Sequence, residues 1–505
     1  MDRDVIFQPI EFPFLKVKNR LFRSNITGRF DNYDGTGTQA RINWEEKFAQ
    51  GGVGAILSSF VPVHVRGRVQ PNYAFIDDDD KIPFWRQVGE VVHQYDCRYI
   101  LQLSHSGRQR DLPGAENFMQ PGLSSTSKSD YFHGLLCQAM TKKEIGEVVE
   151  MFAQGARRAR EAGLDGVELH ASHGYLFTQF LSSGINDRED EYGGPLENRA
   201  RFLLEVLAAI RRTVGRDFHV GVKVNAVDFN DALIPFEKPG NTLEESKKVC
   251  QWIEAAGADH LHISIGSIFP HPLLPPGGFP PDELNWWYGI MGSSGVSSYR
   301  NYALFHFRVL RPLFLWAWNR TKKHHPIEGI VVPYARAIKQ AVGIPVICTG
   351  GFQSPDLIRK VLSNGSCDAV SIGRPLVANN DLPHIIEEGR EIAQPCTFCN
   401  RCLVNAVYNP LGCYDLTRFN YDQAAMINEV MRVFDPSRKP YVYGKSPRVL
   451  RGKTYRIKTR DLNFEDLVRE SPVDNAQLRF RARLLIGAAF VLAVILVLGY
   501  MALRN

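Results

Sequence analysis

Ala162-Gly-Leu-Asp-Gly-Val-Glu-Leu-His-Ala-Ser-His-Gly-Tyr175 joins the end of one element to the start of another. Ala162-Gly163 closes a helix, because glycine reaches the left-handed conformation at little steric cost. Gly166–Leu169 follows as a short apolar strand, and polar residues begin where it ends. The phrase recurs: Ala256-Gly257 precedes Ala258-Asp259, and Asn364-Gly365 precedes Ser366-Cys367. Working outward places strands at Leu21–Asn25, Gly54–Val61, Tyr99–His105, Gly166–Leu169, His219–Asn225, His260–Ile265, Pro345–Thr349 and Ala369–Ile372. Their uniformly apolar character leaves no wet face, which predicts a parallel sheet covered by helices. Strand and helix alternating about eight times predict an α/β protein with a (β/α)8 TIM barrel. A doubly wound open sheet fits less well, since no Gly-x-Gly-x-x-Gly follows the first strand.

The barrel is expected over residues 1–395, with two long interruptions. Ser106 to Met140 lacks periodicity and follows the third strand, on the face where barrel enzymes keep their chemistry. The stretch 266–327 exceeds an ordinary strand-to-helix connection. Its middle mixes Phe, Leu and Trp with Arg308 and Arg311, and it has two readings. One is an aromatic, basic platform at a bilayer surface; the other is a helical insertion packed on the barrel.

Of the 505 residues, 44% are hydrophobic and 23% charged, so the chain buries a sizeable core. The net charge of +6 comes without a dense basic stripe, and no nucleic-acid partner is expected. The N-terminus has no apolar stretch of the kind a secretory signal carries. Asp77 to Asp80 reads as a solvated loop. Cys97, Cys137, Cys250, Cys348 and Cys367 are scattered and read as small buried hydrophobes. Cys396, Cys399, Cys402 and Cys413 cluster, which reads as a ligand set in a reducing compartment. Residues 396–478 are expected to be this Cys-rich segment and a linker. Leu484 to Leu503 is uncharged and about as long as a bilayer-crossing helix, with Arg479, Arg481 and Arg483 before it. It predicts a single-pass anchor in membrane lipid, with everything before it on the cytoplasmic side.

Barrel chemistry gathers at C-terminal strand ends. The fourth strand ends in His170, His173 and Tyr175. Two imidazoles there can converge on one oxygen atom as donors, and a phenol nearby can deliver a proton. Metal ligation by the histidines would need further ligands, and the segment supplies no carboxylate or thiol. The seventh and eighth strands end in Gly350-Gly351 and Gly373-Arg374. Glycines let backbone N–H groups approach an anion, and an arginine can clamp it, which suggests a phosphorylated cofactor. Gln102 and Lys223 stand between apolar neighbours on the third and fifth strands. A lumenal Lys223 suits a cofactor that gains negative charge on reduction, as flavin does.

Residues 170–203, HASHGYLFTQFLSSGINDREDEYGGPLENRARFL, resemble the signature of the Old Yellow Enzyme family of FMN-containing ene-reductases. The likeness extends over roughly residues 5–415 through Asn19-Arg20, the run from Gln102 to Arg108, Val222-Lys223-Val224 and Gly373-Arg374. The resemblance implies that Thr27 bonds flavin O4, that Gln102 binds the pyrimidine edge, and that Lys223 faces N1 and O2. It implies that Gly350, Gly351, Gly373 and Arg374 hold the phosphate. His170 and His173 would grip the oxygen of a small-molecule enone or dienoyl substrate, flavin N5 would give hydride, and Tyr175 would supply the proton. NADH or NADPH would re-reduce the flavin.

The spacing Cys396-x2-Cys399-x2-Cys402-x10-Cys413 is similar to the iron–sulfur ligand set of the family's larger relatives, the 2,4-dienoyl-CoA reductases and trimethylamine dehydrogenase. A [4Fe-4S] cluster, a zinc ion or free thiols all remain open. Two alternatives to ene-reduction stand beside these residues. One is an FMN and iron–sulfur dehydrogenase that passes electrons to a membrane partner; the other is a flavin redox sensor.

Overall fold

Short runs of apolar residues, most of them preceded by a glycine, arrange themselves in the computed structural model as one closed parallel sheet. The structure describes residues 3–438 apart from 27, 111–119, 131–133, 231–237, 268–270, 291–295, 308 and 310. The barrel strands are β1 Leu21–Arg23, β2 Ala55–Leu57, β3 Arg98–Ser104, β4 Gly166–Ala171, β5 His219–Asn225, β6 His260–Ser264, β7 Val346–Thr349 and β8 Ala369–Ile372. β1 pairs with both β8 and β2, and β2 pairs with β3, which closes the ring. A further short piece, Val61–Pro62, runs beside the end of β3.

The connecting helices are α1 Gln39–Gln50, α2 Ile82–His93, α3 Lys142–Glu161, α4 Leu196–Val214, α5 Leu243–Ala255, α6 Val332–Lys339 and α7 Pro355–Ser363. α3 and α5 begin with reciprocal capping boxes, Thr141 with Glu144 and Thr242 with Glu245. Each cap is worth about 1 kcal/mol, because it satisfies N–H groups the first turn cannot bond internally. Gly163, Gly257 and Gly365 have φ of 76°, 93° and 70°, as their helix-closing role requires.

Trp44, Phe48, Trp85, Phe152 and Phe202 belong to one apolar shell between strands and helices. Inside the ring, a second cluster joins Phe22, Leu57, Ile100 and Ile347 to Ile10, Phe12, Leu15 and Val17. These last four come from an N-terminal hairpin, Ile10–Phe12 against Leu15–Val17, which plugs the barrel at the starting ends of its strands. Chemistry is left to the opposite mouth.

The long insertion takes the second of its two readings. It folds into helices Pro281–Ile290, Val296–His306 and Arg311–Lys322. Leu284, Trp287, Tyr288 and Phe305 are buried with Val404 and Val407, so its aromatic surface packs on the cysteine-bearing segment. That segment, through residue 438, lies in the same compact unit as the barrel.

The membrane expectation is corrected. No helix among the described residues is long and apolar enough to cross a membrane. The long helix Lys142–Glu161 is amphipathic and charged, with Ile145, Val148 and Phe152 buried on one face. Leu484 to Leu503 lies outside the described residues, and the single-pass localisation, the lipid partner and the cytoplasmic orientation drawn from it are withdrawn.

Candidate active site

β4 delivers His170 to the open mouth, and the chain then turns sharply. His173 has φ of 61° and Gly174 of 82°, and a Cβ on Gly174 would collide with the carbonyl of Ser267. The turn stands the two imidazoles perpendicular, with centroids 5.2 Å apart and an interplanar angle of 89°. The Tyr175 ring lies 4.9 Å from His170 and 5.0 Å from Phe60. Ser172 Oγ bonds His170 Nδ1 at 3.1 Å, and Ser264 Oγ bonds His173 Nε2 at 2.7 Å. The opposite nitrogens, Nε2 of His170 and Nδ1 of His173, are therefore the ones left for a ligand. Burial, reinforced by the charge of Lys223, pushes both histidines well below the usual imidazole range. Neutral imidazoles can donate a hydrogen bond to a carbonyl oxygen without surrendering a proton.

Beneath them the lumen is polar, which corrects the reading of these strands as uniformly apolar. Gln102, Glu168, Lys223, His260 and His262 are all buried. Gly221 makes room for them, since a Cβ there would overlap the His260 ring. Lys223 Nζ donates to Asn25 Oδ1 at 2.8 Å, and burial lowers its pKa to about 8. Gln102 Nε2 donates to Glu168 Oε1 at 2.9 Å, while its Oε1 is buried without a partner among the described residues. A buried acceptor left open beside a buried cation fits the pyrimidine edge of FMN, which offers an N–H next to oxygens that take up charge.

At the ends of β7 and β8, Gly350 and Gly351 have φ of 148° and 74°, and a Cβ on Gly351 would strike the carbonyl of Ile327. A Cβ on Gly373 would meet nothing closer than 3.6 Å, so backbone is open to a ligand there. These glycines suit a phosphate. Arg374 is less free than the sequence implies. Its Nη1 donates to the carbonyl of Pro276 at 2.7 Å and to Asn400 Oδ1, and the guanidinium lies 5.1 Å over the Phe398 ring. Thr27 lies outside the described residues.

Arg374 thereby borders a cavity lined by Cys396, Cys399, Cys402 and Cys413, with Asp415 and Arg418. Phe398 and Asn400, between the cysteines, have φ of 54° and 64°, and Phe398 N–H points at Cys396 Sγ at 3.4 Å. Burial pushes the Cys396 thiol up to about 11 and raises Cys399 and Cys402, so all three are protonated at neutral pH unless a metal displaces the protons. Among the described residues no group of three or more His, Cys, Asp or Glu closes on one metal position. Four thiols spaced around one cavity are a donor set of the kind that a cluster or a zinc ion uses. Cys97, Cys137, Cys250, Cys348 and Cys367 are buried free thiols.

The sequence reading missed Asn25, Glu168, His260, His262 and Ser264. Their signal was alternation inside strands taken as apolar. Glu168 and His170 share one face of Gly-Val-Glu-Leu-His, as His260, His262 and Ser264 share one face of His-Leu-His-Ile-Ser.

The sequence profile of the NADH:flavin oxidoreductase / NADH oxidase family matches residues 5–267. The chain belongs to that family. Among its relatives, the NADH oxidase of Thermoanaerobacter brockii is 30% identical over 417 residues, 79% of this chain and 56% of that one. The cinnamate reductase of Clostridium sporogenes is 27% identical over 452 residues, 85% of this chain and 61% of the relative. The chain thus spans a little over half the length of these two relatives. A 2-naphthoyl-CoA reductase complex shares the fold, with a TM-score of 0.65 at 24% identity, over 84% of this chain and 59% of the other. Members of the NADH:flavin oxidoreductase family are enzymes, and so is this chain.

Proposed function

We propose that this enzyme is an FMN-dependent reductase that uses NADH or NADPH to saturate the C=C bond of α,β-unsaturated carbonyl compounds. The observation that carries the reading is the convergence of His170, His173 and Tyr175 above a lumen with an open buried acceptor. FMN, when bound, supplies the hydride. His170 Nε2 and His173 Nδ1 receive the substrate's carbonyl oxygen and stabilise the enolate charge that develops there. Tyr175 delivers the proton to the α-carbon. Lys223 would face the negative charge of the reduced pyrimidine, and the strand-end glycines, with Arg374 beside them, would hold the phosphate. A relative named cinnamate reductase supports a conjugated acyl substrate. The test is cofactor identification by mass spectrometry, followed by anaerobic NAD(P)H oxidation with enones and dienoyl thioesters. Protein that lacks FMN, or that turns over none of them, rejects the proposal.

The cysteine cavity favours a second reading, in which Cys396, Cys399, Cys402 and Cys413 hold a [4Fe-4S] cluster and the enzyme exchanges electrons with a partner. Iron and acid-labile sulfide near four per chain in anaerobically purified protein would support it. Iron well below stoichiometric would dismiss it.

A further inference from the structure

We infer that Glu168, whose carboxylate is taken up by four side chains of the lumen, is the positioning residue that fixes how Gln102, Asn25 and Lys223 would face the flavin. The inference rests on the FMN reading above. Glu168 lies in the barrel lumen, fully buried, and four side chains turn to it. Its Oε1 accepts from Gln102 Nε2 at 2.9 Å and from Asn25 Nδ2 at 3.2 Å. Its Oε2 meets His262 Nδ1 at 3.0 Å and His260 Nε2 at 3.3 Å. Burial alone would raise this carboxyl, but the two histidines outweigh it and hold it well below the usual range.

A carboxylate only accepts hydrogen bonds, so each neighbour must present a donor to it. An amide has a donor end and an acceptor end, and committing the nitrogen aims the oxygen the other way. Gln102 Oε1 is thus pointed away from Glu168 as the open acceptor, ready for the N3–H of a flavin pyrimidine. By the same logic Asn25 turns its oxygen to Lys223 Nζ, which holds the cation in place at 2.8 Å. The histidines obey it too. With Nδ1–H of His262 given to Glu168, its Nε2 accepts from Ser371 Oγ at 2.7 Å. With Nε2–H of His260 given to Glu168, its Nδ1 accepts from His219 Nε2 at 2.8 Å. One buried anion therefore fixes two amide orientations and two tautomers. A neutral amide at 168 could donate as well as accept, and Gln102 would be free to flip its NH2 toward the flavin.

The experiment follows the N3–H proton of 15N-labelled FMN by NMR in the holoenzyme and in Glu168→Gln. The wild type is expected to show a downfield N3–H that exchanges slowly with water. In E168Q the signal should move upfield, exchange at least tenfold faster, and be accompanied by at least tenfold weaker FMN binding. The exchanged pair Glu168→Gln with Gln102→Glu restores an acceptor-only group opposite N3–H, so it should recover the downfield signal. An E168Q signal identical to wild type overturns the inference, as does an exchanged pair that folds with N3–H unbonded. If E168Q does not fold, the exchanged pair alone decides. Wild-type protein that binds no FMN instead overturns the flavin reading.

Discussion

Ser264, the last residue of β6, reaches across to His173, the Oγ and Nε2 atoms lying 2.7 Å apart. That contact ties the ring of one strand-end loop to the end of a strand two places away in the barrel. It commits Nε2 and turns Nδ1 toward the mouth. Ser264→Ala should therefore leave FMN bound while lowering the rate of enone reduction about tenfold, through loss of ring orientation. Replacing both His170 and His173 by alanine should go much further, since one donor aimed at a developing oxyanion is worth about 2.7–4 kcal/mol. Anaerobic stopped-flow oxidation of reduced enzyme by 2-cyclohexenone measures both. Unchanged rates in the double variant would remove the clamp from the mechanism.

Tyr175 stands beside His170, and its proposed task is proton delivery rather than the carbonyl clamp. Tyr175→Phe keeps the ring that packs on Phe60 and removes only the proton. General-acid help of this kind is worth about 10²–10⁴ in rate. The oxidation of reduced enzyme by enone should slow by that order, and reduction by NAD(P)H should not change. Equal slowing of both half-reactions would point to damage at the flavin rather than lost proton delivery.

The buried histidines make the fold sensitive to acid. His262 is held down to about 4 by burial and the charge of Lys223, against the opposing pull of Glu168. His105 is held down to about 3 by burial and the nearby His64, Arg66 and Arg110. The unfolded chain protonates these rings near pH 6.5, while the native state refuses the proton until far lower. Between pH 6.5 and 4 the unfolded state therefore binds more protons, and stability falls as pH falls. His262 alone accounts for ~3 kcal/mol of that loss by pH 4. Urea unfolding at a series of pH values should show it, and His262→Gln should lower the slope by about one proton. A pH-independent midpoint from 7 to 4.5 contradicts the assignment.

Glu45 shows what the barrel wall asks of a buried charge. It pairs with Arg23 of β1 and with Arg41 of its own helix, and Arg41 is held in turn by Asp31 at 2.5 Å. Removing one partner strands an arginine in an apolar shell. Glu45→Ala should cost about 3–5 kcal/mol in urea unfolding, whereas removal of the exposed pair of Glu11 and Lys16 should leave the unfolding midpoint nearly unchanged.

The barrel was legible because its signals are local. Gly163, Gly257 and Gly365 stop helices by backbone geometry alone, and apolar runs such as Val-Ile-Cys-Thr at β7 need no partner to be recognised as strand. His170 and Tyr175 were legible because they sit at a strand end. Asn25 and Glu168 were not, since 143 residues separate them and their meeting depends on closure of the ring. Arg374 was read only in part. Its position after β8 was visible, but its bond to Asn400 requires the cysteine segment to fold back over the end of β8.

The hairpin at residues 10–17 has a kinetic consequence. With Phe12 and Leu15 stoppering the base, the barrel is a vessel with one opening, and reductant and substrate must take turns at it. Neither can wait on the far side while the other reacts. Double-reciprocal plots at several fixed reductant concentrations should be parallel, and each reactant in excess should obstruct the other.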